Sequence, residues 1–522
     1  MNELPSARPA DPPSGPPTGH GAARRLDRRR LLLAGAGLAT SSALFSFEPA
    51  HAGSAVTRTF RGEFTDPHGP DWHYVPFHVP RGVRAIEVGY DYHPTSIGPT
   101  TVNVVDIGIF DPSGHALGDA RGFRGWSGGA RRSFRISRAH ATPGYLAGPI
   151  TPGRWAVALG PYQIVGAGTP WTVRVTLHFG PRGPGFVPQP APTAVPGSGP
   201  GWYRGDLHVH TVHSDGHQTQ AQVLADARAA GLDFLGSAEH NTSSAQRTWG
   251  RHVPADFLVI AGEEVTTRTG HWLATGLEPG TWIDWRYRPA DGQLGRFADR
   301  ARAAGGLAIA AHPFQLGAGI GWEFGDDFAE MDAVEVWNGP WSGLNQTANE
   351  RAVQRWHQLL TDGVFKPAVG NSDSHGHEQR IGLAQTVVRA GALSVEEILA
   401  GYRGGHSWLA ESSGVGLELT ARLGAVTGGC GDRVPSGEGD AVAVRLHVTG
   451  LDDGCVATLL GPGPGAPLAT AAASGGEALI ETTVPGGTGF VRAEVRRGTT
   501  PTAPMVAMTN PVLLGGSGPH RA

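Results

Sequence analysis

Cysteine is almost missing from this chain. There are two in 522 residues, Cys430 and Cys455, and neither has a neighbouring cysteine at zinc-site spacing. That excludes a thiolate zinc site and leaves room for a single disulfide, with two free thiols as the alternative. Excess positive charge is also lacking. With a net charge of −4 the chain shows no electrostatic footprint for nucleic acid, and none is expected as a partner. Long apolar runs are missing too. The most apolar stretch, after Arg30, is broken by Gly35, Gly37, Ser41 and Ser42, so no stable membrane span is expected. Glycine and proline are plentiful, at 79 and 41, yet 39% of residues are hydrophobic, which argues for loop-rich globular domains rather than general disorder.

The chain begins with a Pro-, Gly- and Ala-rich stretch that reads as unstructured. Arg24-Arg25 and Arg28-Arg29-Arg30 then precede Leu31-Leu32, an apolar run to Phe47 and the small-residue site Ala50-His51-Ala52. Basic, apolar and A-x-A segments in that order form an export signal. The paired arginines resemble the twin-arginine type, which hands folded proteins to the twin-arginine translocase. Cleavage after Ala52 and an extracellular, periplasmic or cell-envelope location are expected.

Residues 53–180 read as an N-terminal β-sandwich, because segments such as Arg84–Tyr90, Val102–Phe110, Arg154–Leu159 and Trp171–Leu177 alternate or run apolar over strand length. Residues 181–201 are dense in Pro and Gly and read as a linker. From 202 to 412 strands alternate with helices. Gln220–Ala230, Leu294–Ala304, Thr347–Leu360 and Val395–Tyr402 have helical spacing, while Phe234–Ser237, Leu307–Ala311, Ala333–Trp337 and Pro367–Val369 are apolar runs of strand length. Repeated βα units favour a barrel or an open parallel sheet. Residues 413–522 return to short strands, a second β-sandwich with a tail.

Chemistry concentrates in the stretch 205–216. Leu207 and Val209 alternate with His208 and His210, so an extended backbone puts both imidazoles on one face. Further candidate ligands follow the later strands: Glu239-His240-Asn241, Glu263-Glu264, His312-Pro313 and Asn371-Ser372-Asp373-Ser374-His375. Strands of a barrel converge at their carboxyl ends, so residues far apart in sequence can surround one point. Imidazole plus carboxylate without thiolate suits Zn, Mn or Fe and does not choose among them.

His208-x-His210 with Asp215, then His240, Glu264, the Ala-His312-Pro step and Asp373-x-His375 resemble the motifs of the PHP (polymerase and histidinol phosphatase) superfamily. The β-rich flanks and export signal make the chain more similar to CehA/McbA-type metallohydrolases within it. The resemblance implies a distorted (β/α)7 TIM-like barrel over 202–412 with two or three divalent metal ions. It implies His208, His210, Glu264 and Asp373 around a first metal, and Glu264 bridging to a second that is bound by His312 and, in some relatives, by a residue at the position of His271. Asp215, His240 and His375 would hold a third. Asp373 would also serve catalysis. Arg380, shortly after the last motif, is a candidate phosphate clamp.

The expected function is an exported metal-dependent hydrolase, a phosphoesterase that uses a metal-bridging hydroxide on a small-molecule or polymer phosphate ester. A carboxylic ester, carbamate or amide at the same centre is the alternative. An inactive cell-envelope binding protein is a third reading.

Overall fold

The computed structural model describes residues 53–521 except 66–69, 94–95, 98–100, 165–167, 318–319, 464 and 517–519. The expected export signal lies outside the described residues. All that follows belongs to one compact unit, His51–Ala522.

The N-terminal part is a sandwich of two antiparallel four-stranded sheets. One runs Ala55–Phe64, Thr169–Phe179, Val83–Tyr92, Ser133–Ser137, and the other His73–Val79, Gly153–Gln163, Val104–Phe110, Phe123–Trp126. Alternation drives it: along Thr169–Phe179 every second side chain is buried, and the inner faces share Val88, Ile107, Trp155, Val157 and Val173.

The central part contains β1 (Gly201–Val209), α1 (Gln220–Ala229), β2 (Phe234–Ser237), β3 (Leu258–Ile260), β4 (Gly262–Thr267), β5 (Gly270–Thr275), α2 (Leu294–Ala303), β6 (Leu307–Ala311), β7 (Ala333–Asn338), α3 (Gly343–Thr361), β8 (Ala368–Asn371), β9 (Gln385–Ala390), α4 (Val395–Gly404) and β10 (Ser407–Ala410). Local chemistry sets the helix ends. Thr219 and Gln222 form a capping box at the start of α1, and Ser394 caps α4, which stops at Gly405 in the left-handed region.

These strands do not show the expected distorted (β/α)7 barrel as one continuous sheet. They make two sheets, β3-β2-β1-β9-β10 and β4-β5-β6-β7-β8, in a strand-rich chain with four α-helices among the described residues. A hairpin interrupts the alternation of strand and helix. β4 and β5 pair antiparallel through a turn at Gly270, whose φ is +126° and whose added Cβ would lie 3.0 Å from the Trp322 backbone. β9 also runs antiparallel to β1. The two sheets are joined by single parallel bridges, His240 to Glu264 and Val209 to Ser374.

β10 pairs with Met505–Thr509, so the first sheet continues through Phe490–Arg497, Cys455–Leu460 and Ala469–Ala472 and forms one layer of the C-terminal sandwich. The other layer is Val426–Gly428, Gly416–Leu423, Ala441–Thr449, Glu477–Pro485. Cys430 and Cys455 are free and buried in the core between them. At the other end, Phe123 of the N-terminal sandwich stacks on Trp282 at 4.1 Å, and Trp126 lies 4.6 Å from Trp285. Both tryptophans belong to the loop before α2, so one apolar core runs through both parts.

Candidate metal centre

The carboxyl ends of β1, β2, β6 and β8 meet β4 at one place. β1 brings His208 and His210 there side by side, both buried, while Leu207 and Val209 enter two separate apolar clusters. The residues after the strands arrive on unusual backbone: Asn241, His312 and Asp373 have φ of 54°, 29° and 52°. Non-glycine residues in this region cost energy and cluster where a site dictates direction. Asn241 is held by two bonds to Thr266, accepting from its N–H at 2.8 Å and donating to its carbonyl at 3.1 Å.

All nine residues to which the resemblance assigns a metal lie in this cluster. Their donor atoms fall into four sets, each within 4.8 Å: His208, His210, Glu264; His208, His312, Asp373; Glu264, His271, His312; and His210, Asp215, His240, His375. Glu264 joins them. Its Oε2 lies 3.3 Å from His208 Nε2, 3.4 Å from His210 Nε2 and 2.9 Å from His240 Nδ1. Its Oε1 lies 2.9 Å from His271 Nδ1 and 3.1 Å from His312 Nε2. Asp373 Oδ1 reaches His208 and His210 at 3.3 and 3.1 Å. Asp215 Oδ1 reaches His240 and His375 at 3.5 and 3.4 Å. The antiparallel pairing of Thr266 with His271 turns the His271 ring into the cluster.

The donor set fits divalent metal ions on an observation independent of motif. His208 Nε2, His210 Nε2, Glu264 Oε2 and Asp373 Oδ1 are buried and have no hydrogen-bond partner, although they face one another. Buried polar atoms are almost always paired, and converging lone pairs without protons between them are what a cation satisfies. Charge agrees. Burial alone would raise Glu264 and Asp373, but the surrounding histidines hold both well below the usual carboxylate range. Burial, helped by His375 and His240, pushes His210 down to about 3. These three are in ligating forms, whereas, against the effect of burial, the neighbouring carboxylates hold His208, His240, His312 and His375 above the ordinary imidazole value, so a cation entering the cluster would displace their protons.

Two residues that the motifs did not mark complete the centre. Glu335 in β7, fully buried, accepts from His208 Nδ1 at 3.1 Å, from Asn371 at 2.7 Å, from the His312 N–H at 2.8 Å and from Asn338 at 3.1 Å. It fixes the tautomer that leaves His208 Nε2 as the ligand. Asn371 also accepts from the Leu207 N–H at 2.8 Å and so ties β1 to β8. The available signal was a carboxylate inside the apolar run Val334-Glu335-Val336. Asn338 donates to Asp373 Oδ2 at 3.2 Å, whereas Trp337 is core. Glu239 stands in none of the donor sets; it accepts from Thr211 and Ser214 and braces the loop after β1. Glu263 points away, accepting from the Ile283 N–H. Arg380 is exposed and does not line the cavity of about 590 Å³ that opens over Asp215, His240 and His271.

No protein-family model matches this chain, and no curated protein matches it. Solved structures similar to parts of it include a two-domain protein from Bacteroides vulgatus, described as containing a predicted PHP-like metal-dependent phosphoesterase. It is 16% identical, with 61% of this chain and 97% of that one covered at a TM-score of 0.32. A second, from Bifidobacterium adolescentis and likewise described as a predicted metal-dependent phosphoesterase, is 20% identical over 38% of this chain and 95% of its own, at 0.26. A third match, in the capsid of cyanophage Pam1, is 19% identical over 28% of this chain and all of its own, at 0.18.

Proposed function

We propose that this chain is a metal-dependent hydrolase of the PHP type, similar in layout to the CehA/McbA group, and that it cleaves phosphate esters. One observation carries the reading: donor atoms from nine residues converge, and the innermost are buried without hydrogen-bond partners. Divalent ions bound by these residues would supply an acidified water and polarise the ester. The residues do the rest. Glu264 and Asp373 keep negative charge at the centre, Glu335 and Asn371 hold His208 in direction, and Asp373, gripped by Asn338, is placed to accept a proton from the attacking water. Adjoining donor sets suit a phosphoryl group, whose several oxygens can be held at once, better than a carbonyl with one. A carboxylic ester or carbamate at the same centre is the second arm of the assay.

The test is hydrolysis of an aryl phosphate, an aryl phosphodiester and an aryl ester with and without Mn²⁺, alongside metal analysis after chelator-free purification. Two to three ions per chain are expected, fewer than the four donor sets because His208, His210, Glu264 and His312 are each shared between two. Asp373→Asn should lower turnover about 10²-fold or more with metals still bound. Full activity in that variant would remove the chemistry from this site. Export is part of the proposal, supported by the order of basic, apolar and Ala50-x-Ala52 segments. The intact mass of envelope-fraction protein should begin at Gly53.

A further inference from the structure

The cavity of about 590 Å³ over the outer donor set has a floor of Asp215, His240 and His271, and its walls come largely from the N-terminal sandwich. Two arginines on those walls lie against aromatic rings. The guanidinium carbon of Arg268, on the turn between β4 and β5, is 4.7 Å from the ring centre of Trp72 and 4.6 Å from that of Tyr162. That of Arg132 is 3.8 Å from the ring centre of Tyr92. Stacking fixes a guanidinium plane and leaves its N–H edges as the functional part.

Two donors of Arg268 are unsatisfied. The residue is 9% exposed, and its Nη2 donates to the Asp71 carbonyl at 3.4 Å, but its buried Nε and Nη1 have no hydrogen-bond partner. Asp106 Oδ2 stands 3.6 Å from Nη1, near enough to balance charge and too far to accept the hydrogen. A buried, charged donor left unpaired is costly, and a carboxylate or phosphate oxygen that accepts from Nη1 relieves that cost. Outside the donor residues, Arg132 and Arg268 face Asp106 alone, so the outer cavity is cationic.

We propose that this cavity is the substrate pocket of the hydrolase reading above, on which this inference rests, and that Arg268 binds a second anionic group of the ester, remote from its scissile bond. The N-terminal sandwich then belongs to the binding site, since Trp72, Asp106 and Tyr162 hold the arginine in place. The ligand's second group is a carboxylate or a phosphate; both offer the anionic oxygen that the unsatisfied donor requires.

The experiment measures binding by calorimetry to the full Mn²⁺-loaded chain, with phenylphosphonate, 4-carboxyphenylphosphonate and 1,4-phenylenediphosphonate as probes. In the wild type a second anion should tighten binding at least about tenfold over phenylphosphonate, and the probe that gains more identifies carboxylate or phosphate. In Arg268→Gln the ratio of Kd values should fall towards one. Asp106→Asn should raise it, because a competing carboxylate has gone, and this variant carries the test if circular dichroism shows that Arg268→Gln does not fold. Mn²⁺-dependent binding of phenylphosphonate with no gain from either second anion would overturn this inference and leave the hydrolase reading standing. So would a ratio that neither substitution moves. Failure of the chain to take up metal or to bind any phosphonate would end both.

Discussion

Glu335 shows how a side chain outside the donor sets can govern the centre. Its carboxylate spans His208, His312, Asn338 and Asn371, which come from four different segments. Gln at this position keeps the size but loses the charge that pairs with the His208 ring. Metal affinity in Glu335→Gln should drop about 10- to 100-fold, the usual cost of losing such a partner, and a chelator titration followed by metal analysis would show it. Unchanged affinity would mean that packing alone orients the ring. A second residue-scale expectation concerns acid. Burial pushes the Asp106 carboxyl from its ordinary 3.8 up to about 6, against the pull of Arg268 and His240. The folded chain therefore keeps that proton when the unfolded chain has lost it, so this group's contribution is complete below pH 3.8 and is lost as pH rises through about 6. Asp106→Asn removes the slope. The variant's melting temperature, relative to wild type, should be higher at pH 7 than at pH 4, by the equivalent of at most about 3 kcal/mol.

Among the elements, β1 is held between partners that leave it little space. Gly236 in β2 faces it so closely that an added Cβ would stand 2.5 Å from the Leu207 carbonyl oxygen and 2.8 Å from its Cα. Backbone cannot yield as a flexible side chain would. Gly236→Ala should therefore cost about 1–3 kcal/mol and displace the strand that carries both inner histidines. Thermal unfolding and metal content should fall together; a stable variant with depleted metal, or the reverse, would separate strand position from ligation. At this scale the sequence was most legible where periodicity is local. Phe234–Ser237 and Leu307–Ala311 are strands with those bounds, and the α2 and α4 segments differ only at their carboxyl ends. The β4–β5 hairpin and the reversal of β9 were not legible, because direction depends on which strand lies alongside. The same limit hid Glu335, whose partners are up to 127 residues away.

For the molecule as a whole, connectivity decides what can be removed. The sheet crosses from β10 directly to Met505–Thr509, and the loop before α2 places Trp282 and Trp285 among Phe123 and Trp126. A fragment of residues 202–412 would lose a sheet neighbour at one end and uncover the aromatic seam at the other. It should be insoluble or molten on expression, whereas residues 53–522 should melt cooperatively; a well-ordered fragment with full metal content would refute this. The flanking sandwiches were legible from strand alternation, but their continuity with the centre was not, since the cores that join are built from residues distant in sequence. The same seam has an optical consequence. Trp72 lies 5.6 Å from Trp126 and 5.8 Å from Trp285, with ring planes 71° and 89° apart, and all three line the cavity over the donor residues. Indoles so close and so angled exchange excitation energy and give a strong, geometry-dependent near-ultraviolet dichroism, so the chain carries a built-in spectroscopic reporter of whatever enters that space.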